Sequence, residues 1–239
     1  MNKLKVVSWN MNKRKSGTWD HLKRVLDPDM SLLQETSPLD QSIKKSNLFE
    51  VDVKKNLRNS IFSEKHIMER VKFPKEFNTD MICVKSSINE TDYFFISIYG
   101  NLSFLPFFTI FIGQISLIVN FLRTTYDAKH IIIAGDFNCD RRMDDNPTGS
   151  RFARKGERVT NLFFDSILGL GFKDCLRKFH SNYIETYRHH IVKSRYPWEI
   201  DHMFCTDHLY AALKSINVLD DEVVKELSDH NPIVAEFDL

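Results

Sequence analysis

Eight polar residues stand directly behind apolar runs, where a strand would deliver them to its end. Asn10 and Asn12 follow VVSW, Glu35 follows SLLQ, and Asp136 and Asn138 follow IIIAG. Asp201 follows WEI, and Asp229 with His230 stands in LSDHNPIVAEF. One such Asp or Asn is ordinarily a turn former or a helix cap, and a lone His is ordinarily structural. Together they form a set of hard oxygen donors with one imidazole, which suits Mg²⁺ or Mn²⁺. That set fits phosphodiester hydrolysis, where an anionic nucleophile meets an anionic centre. A divalent ion, an imidazolium and amide donors offset the charge, while a carboxylate aligns the attacking water. In IIIAGDFN, Gly135 lets the backbone turn closely beneath the site. If the strand continues, Asp136 and Asn138 point the same way, one orienting a water and the other donating to a phosphate oxygen.

Positioning these residues requires many strands that end at one rim. Strand-like runs are read at Leu4–Trp9, Ser31–Gln34, Val51–Lys54, Met81–Val84, Tyr93–Tyr99, His130–Ala134, Tyr183–Tyr187, Ile200–Cys205, Lys214–Val218 and Ile233–Phe237. Helical patterns fall at Thr18–Leu26, Ser103–Tyr126 and Val159–Leu168. The pattern predicts an α/β sandwich with helices outside and functional loops at one rim. With no linker or internal repeat, residues 1–239 read as a single domain. A chain of 239 residues, 42% hydrophobic and 27% charged, excludes disorder and supports a core without staples. Lys+Arg 33 against Asp+Glu 32 excludes polyanion binding by bulk charge alone. The basic start is too short in apolar residues for a secretory signal, and Cys83, Cys139, Cys175 and Cys205 form no CxxC pair. Both features point to a cytoplasmic protein with reduced, structural thiols.

From Tyr93 to Leu122 no side chain is charged, and residues 102–122 are long and apolar enough to span a bilayer. The stretch nevertheless lies between two strands that must share a sheet, and Pro106, Gln114, Ser116 and Asn120 interrupt it. It therefore reads as a crossover helix with Pro106 in its first turn. Its Phe load (Phe104, Phe107, Phe108, Phe111, Phe121) calls for cover by core or by a second copy in a homodimer, rather than by membrane.

The ordered landmarks WN, QE, a Tyr-ended strand, GDFN, a Thr-rich strand, ID and SDHNP resemble the endonuclease/exonuclease/phosphatase superfamily across the whole chain. The stretches TYRHH and YPWEID look closest to small uncharacterised bacterial members. The resemblance implies a deoxyribonuclease I-like fold, a two-sheet β-sandwich flanked by helices. It implies Glu35 as the principal metal ligand with Asn10 beside it, and Asp229 completing the acidic shell. It implies Asp136 orienting or deprotonating water, Asn138 holding the scissile phosphate, and Asp201 fixing the tautomer of a phosphate-contacting His230. Asn12 lies where some members carry a metal-proximal Asp. Tyr99 matches a transition-state-facing tyrosine of the abasic-site enzymes, although YGN replaces their Pro-Asn pair and leaves Asn101 without a matching role.

Two basic loops flank the proposed site in sequence, residues 141–158 with Arg151 and Arg154, and residues 187–195 with Arg188. Together with Asn12 and Trp198 they would meet substrate, and Phe152, Tyr187 and Tyr196 interleave as stacking candidates. A solvated loop whose charges do nothing specific is the plain alternative. The expectation is a Mg²⁺/Mn²⁺-dependent phosphodiester hydrolase, a nuclease on DNA rather than RNA, using a metal-activated, Asp-oriented water. The second reading is a phosphatase or phosphodiesterase on a small phosphorylated molecule or lipid headgroup. The third is an inactive binding protein of the same fold, against which the full set of site residues speaks.

Overall fold

The computed structural model describes residues 3–13, 16–36, 44–54, 57–77, 79–100, 106–144, 159–188 and 198–239. Among these, twelve strands form two six-stranded sheets. The first sheet holds β1 (Lys3–Asn10), β2 (Met30–Gln34), β3 (Leu48–Lys54), β4 (Leu57–Phe62), β11 (Leu213–Val218) and β12 (Ile233–Asp238), in the order β11-β12-β1-β2-β4-β3. The second holds β5 (Glu69–Arg70), β6 (Ile82–Ile88), β7 (Thr91–Tyr99), β8 (His130–Asp136), β9 (Phe172–Asp174) and β10 (Asp201–Thr206), in the order β5-β6-β7-β8-β10-β9.

Strand alternation builds three apolar layers. Leu4, Val6, Leu32 and Phe237 of the first sheet meet Val84, Phe95, Ile132 and Met203 of the second in the central core. The opposite faces of β1 and β2 put Val7, Trp9 and Leu33 against Trp19 and Leu22 of α1 (Ser16–His21) and the π-helical turn Leu22–Leu26. Ile131 and Ile133 of β8 lie beneath α2 (Pro106–Tyr126) and α3 (Val159–Gly169). Burial on both faces explains why β8 reads as an unbroken Ile run. Two short helices, α4 (Asp207–Ala212) and α5 (Glu222–Leu227), complete the chain.

The crossover helix forms as expected and begins on Pro106, whose missing N–H costs nothing there. Phe111, Ile115, Ile118, Val119 and Leu122 repeat at three- and four-residue intervals and are buried. Ile110 and Leu117 on the other side are exposed. No helix among the described residues is long and apolar enough to cross a membrane.

The strand expected at Tyr183–Tyr187 does not form. Only Tyr187 makes isolated bridges, to Trp198 and to His230. The N–H groups of Thr186 and Tyr187 both go to the Trp198 carbonyl, while that of Arg188 goes to Asp229, so no continuous ladder can develop. Strand β4 has no counterpart in the sequence reading, because its buried Asn59 and Ser60 break the apolar pattern.

The topology sends the candidate catalytic and metal-ligating residues to one rim. β1 runs parallel to β2 and β7 parallel to β8, so Asn10, Glu35, Tyr99 and Asp136 all lie at carboxyl ends. Asp201 opens the antiparallel neighbour of β8, directly opposite Asp136. Asp229 and His230 precede β12, the antiparallel neighbour of β1.

Candidate active site

Asp136 sits at the centre of the rim and is fully buried. Its Oδ2 accepts from Asn10 Nδ2 at 2.9 Å, and its Oδ1 accepts from the Asn138 backbone N–H at 2.8 Å. The chain reaches this point through Gly135, whose φ of 150° only glycine adopts freely. A Cβ there would lie 1.9 Å from the Ile98 carbonyl oxygen and 3.0 Å from Gln34 Nε2.

Asn138 shares the site with Asp136 by a different geometry from the strand alternation expected. The strand ends at Asp136, and Asn138 adopts φ 53°. Its backbone bends over the Asp136 carboxylate, and its Nδ2 donates to the Gly100 carbonyl at 2.7 Å. The second amide hydrogen is left over by that single bond.

Asp201 and His230 form a buried pair, with His230 Nδ1 2.8 Å from Asp201 Oδ2. His230 Nε2 faces Asp136 Oδ2 at 3.9 Å. Burial alone would lower the imidazole pKa. The charges of Asp201 and Asp136, the Asp201 hydrogen bond and the Asp229 charge outweigh it and raise the value to about 9. The shift favours the imidazolium. Burial raises the Asp136 pKa, with the Asp201 charge adding to it and His230, Asn10 and Asn138 opposing.

Glu35 follows β2 with φ 50°, and its Oε1 accepts from the Tyr99 hydroxyl at 2.7 Å. Asn10 Oδ1 accepts from the N–H of Asn12, itself at φ 47°. Burial, and then the charges of Glu35, Asp136 and Asp229, push the Tyr99 pKa up. The Tyr187 phenol is raised by burial and by the same three carboxylates. Both phenols thus feel the field of Glu35, Asp136 and Asp229.

Glu35, Asp136 and Asp229 supply hard oxygen donors at this rim, the donor chemistry that suits a divalent cation. By distance, the group among the described residues that gathers closely enough to hold a metal is Asp136, Asp201 and His230, their ligand atoms lying within 4.8 Å of one another. The hydrogen bond on Nδ1 and the raised pKa favour a proton there instead, because an imidazolium has no lone pair for a metal.

Arg188 turns its guanidinium onto the loop before β12, donating to Asn231 Oδ1 and the Ser228 carbonyl. Trp198 is half-buried, and its carbonyl receives the Thr186 and Tyr187 N–H groups. Arg151, Arg154 and Asn101 lie outside the described residues. Three supporting residues had not been singled out in the sequence. Trp9 Nε1 donates to the His230 carbonyl at 3.0 Å, and Ser228 Oγ donates to the Asn10 carbonyl at 2.7 Å while accepting from His230 N. Thr186 Oγ1 accepts from the N–H of Asp201. Trp9 and Ser228 adjoin predicted site residues in sequence, and that adjacency was the available signal.

A model of the endonuclease/exonuclease/phosphatase family matches residues 7–230. Among solved structures, an AP endonuclease from Archaeoglobus fulgidus is 21% identical, with a TM-score of 0.73 and 99% of this chain and 100% of that one covered. A 3'-5' exonuclease from Neisseria meningitidis is 22% identical, with a TM-score of 0.73 and the same coverage. A 3' phosphatase from Neisseria, bound to a product DNA hairpin, is 21% identical, with a TM-score of 0.72 and again the same coverage. No curated protein matches the sequence significantly.

Proposed function

The chain belongs to the endonuclease/exonuclease/phosphatase family, and we propose that within it this protein is a Mg²⁺- or Mn²⁺-dependent nuclease acting on DNA. One observation carries the reading. Asn10, Glu35, Tyr99, Asp136, Asp201 and His230 come from six segments and form two groups, a chain of contacts Asn10–Asp136–His230–Asp201 and a Glu35–Tyr99 pair, set side by side by the register of Tyr99 with Asp136. A hydrolase on a charged phosphoester needs that combination of acceptor, cation and proton donor at one point. DNA is the polymer bound in the Neisseria phosphatase structure, and it suits a near-neutral chain with locally basic loops.

Glu35 and Asp229, with Asn10 beside them, would hold the divalent ion, and its chemistry would be positive charge offered to the phosphate oxygens. Asp136 accepts a hydrogen bond from the attacking water and receives its proton. Asn10 and the Asn138 N–H fix the Asp136 carboxylate from two sides. His230, charged and held by Asp201, donates to a non-bridging phosphate oxygen. The remaining Asn138 amide hydrogen is directed to the same phosphate.

Purified protein should be incubated with plasmid, single-stranded DNA, RNA and inositol phosphates, each with Mg²⁺, Mn²⁺ or EDTA. The expected result is metal-dependent DNA cleavage, lowered by roughly 10²–10⁴ in Asp136→Asn, the range for loss of a general base. Cleavage of inositol phosphates alone would transfer the reading to a small-molecule phosphatase. Cleavage of nothing, or a fully active Asp136→Asn, would sink it.

A further inference from the structure

The Asp201–His230 pair is assembled from the first residue of β10 and the loop before β12, and one short segment runs between them. That segment, Glu185 to Arg188, sends hydrogen bonds in both directions. Towards β10, Thr186 N and Tyr187 N donate to the Trp198 carbonyl at 2.8 and 3.1 Å. On the same side, Thr186 Oγ1 accepts from both Ile200 N and Asp201 N at 3.0 Å. Towards the loop, the Thr186 carbonyl accepts from Asn231 N at 2.7 Å and Arg188 N donates to the Asp229 carbonyl at 2.9 Å. Asn231 Nδ2 also donates to the Glu185 carbonyl at 2.8 Å.

The Ile200 and Asp201 N–H groups need this hydroxyl. β9 pairs with β10 only over Phe204 to Thr206, so its ladder stops short of Asp201. Thr186 is 0% exposed, which leaves no room for water to replace the acceptor. A hydroxyl offers two lone pairs and one proton. Here the lone pairs take two N–H groups, and the proton is directed to the Trp198 carbonyl at 3.4 Å.

We propose that Thr186 is a positioning residue for the Asp201–His230 pair: its hydroxyl holds the backbone of Asp201 and its carbonyl holds the residue after His230. The inference rests on the reading above that this pair acts in the reaction. Its geometric content stands without that reading.

The test uses the full chain and three variants, Thr186→Val, Thr186→Ser and Thr186→Cys. Valine keeps the shape and removes the acceptor, serine keeps the acceptor, and cysteine offers a weaker one. The first readout is the deshielded Nδ1 proton resonance of His230, identified by its loss in His230→Gln. It should persist in Thr186→Ser and be lost or moved upfield in folded Thr186→Val. The second readout is kinetic. kcat should fall by ~10²-fold in Thr186→Val with KM little changed, the size expected of a misplaced catalytic group, while Thr186→Ser restores it. If Thr186→Val does not fold, Thr186→Cys decides through a weakened resonance. A wild-type resonance in a folded Val or Cys variant would overturn the proposal. If the wild-type chain cleaves no phosphoester, the nuclease reading fails, and the resonance still decides the role of Thr186.

Discussion

Glu35 carries its carboxylate on backbone in the left-handed region, as do Asn12, Lys13 and Asn138 around it. Non-glycine residues there store strain of order 1 kcal/mol or more, and they persist where neighbours hold them. The neighbours here are identifiable: the Glu35 carbonyl accepts from Lys13 N, and its carboxylate takes the Tyr99 hydroxyl. With Glu35 as the proposed metal ligand, Tyr99 would orient that ligand rather than supply one. Tyr99→Phe should weaken Mn²⁺ binding by about 10–100-fold, the usual effect of losing a partner of a metal ligand. Calorimetric titration of Mn²⁺ into the variant measures this, and unchanged affinity would remove Tyr99 from the site. The carboxylates themselves were legible in the sequence because each ends an apolar run. The Glu35–Tyr99 contact was not, since the two lie 64 positions apart in different sheets and only the packing of β2 against β7 brings them together. For the Asp201–His230 pair, Asp201→Asn should lower kcat by about 10²–10⁴ with the fold intact, because the amide no longer stabilises an imidazolium. Steady-state kinetics beside a thermal melt separates that loss from unfolding.

Among the elements, β8 is the most tightly specified. It is buried on both faces and must pass the Ile98 carbonyl with no side chain at Gly135. Gly135→Ala forces a 1.9 Å contact onto backbone at φ 150°, so the strand or its neighbour must move. A destabilisation of about 4 kcal/mol or more is expected, in the class produced by core overpacking combined with backbone strain. Urea denaturation reads it directly, and a midpoint near wild type would mean the two strands can separate. Helix α1 gives a different kind of prediction. His21 ends it, with its ring 6.0 Å from that of Trp9 and Nε2 buried without a hydrogen-bond partner among the described residues. Burial lowers its pKa, and the Asp221 charge opposes only in part. The folded state thus takes up this proton less readily than the unfolded chain. Any stability that His21 contributes is present above the ordinary value near 6.5 and is lost as pH falls below it. The stability difference between wild type and His21→Gln should shrink between pH 7.5 and pH 5.5. A difference that stays constant would show that the ring titrates normally. Elements with one clean period, such as β8 and α2, were legible in sequence. β4 and the segment before Tyr187 were not, because buried Asn59 and Ser60 mimic a loop, while Thr186 and its neighbours send their hydrogen bonds to β10 and to the loop before β12 instead of forming a ladder.

At the scale of the whole molecule, two sheets deliver their carboxyl-terminal strand ends to one rim, so charge concentrates there although the chain as a whole carries only +1. Carboxylates gathered at that rim repel one another in the folded state and are far apart in the unfolded chain. A bound divalent ion should therefore raise Tm, with the gain following ligand concentration by mass action, about 2.7 kcal/mol at a hundredfold excess over Kd. Thermal melts in Mn²⁺, Mg²⁺ and EDTA test this, and Tyr99→Phe should need more ion for the same shift. The same distribution of charge decides which phosphate the site serves. A nearly neutral protein has no long-range field to hold a polyanion, so affinity for DNA must come from local contacts such as those offered by the loops bearing Arg151 and Arg154. Each phosphate contacted releases counterions, and the logarithm of the association constant falls by about 0.9 per contact against the logarithm of salt concentration for duplex DNA. A site engaging some five phosphates should give a slope of about −4 or steeper. A site that grips one headgroup should stay near −1. The measurement uses Asp136→Asn with Ca²⁺, so that binding proceeds without turnover, titrated against a duplex oligonucleotide between low and physiological salt. A shallow slope for DNA together with tight binding of an inositol phosphate would exclude the nuclease, because a protein of this net charge has no other means of holding a polymer against salt.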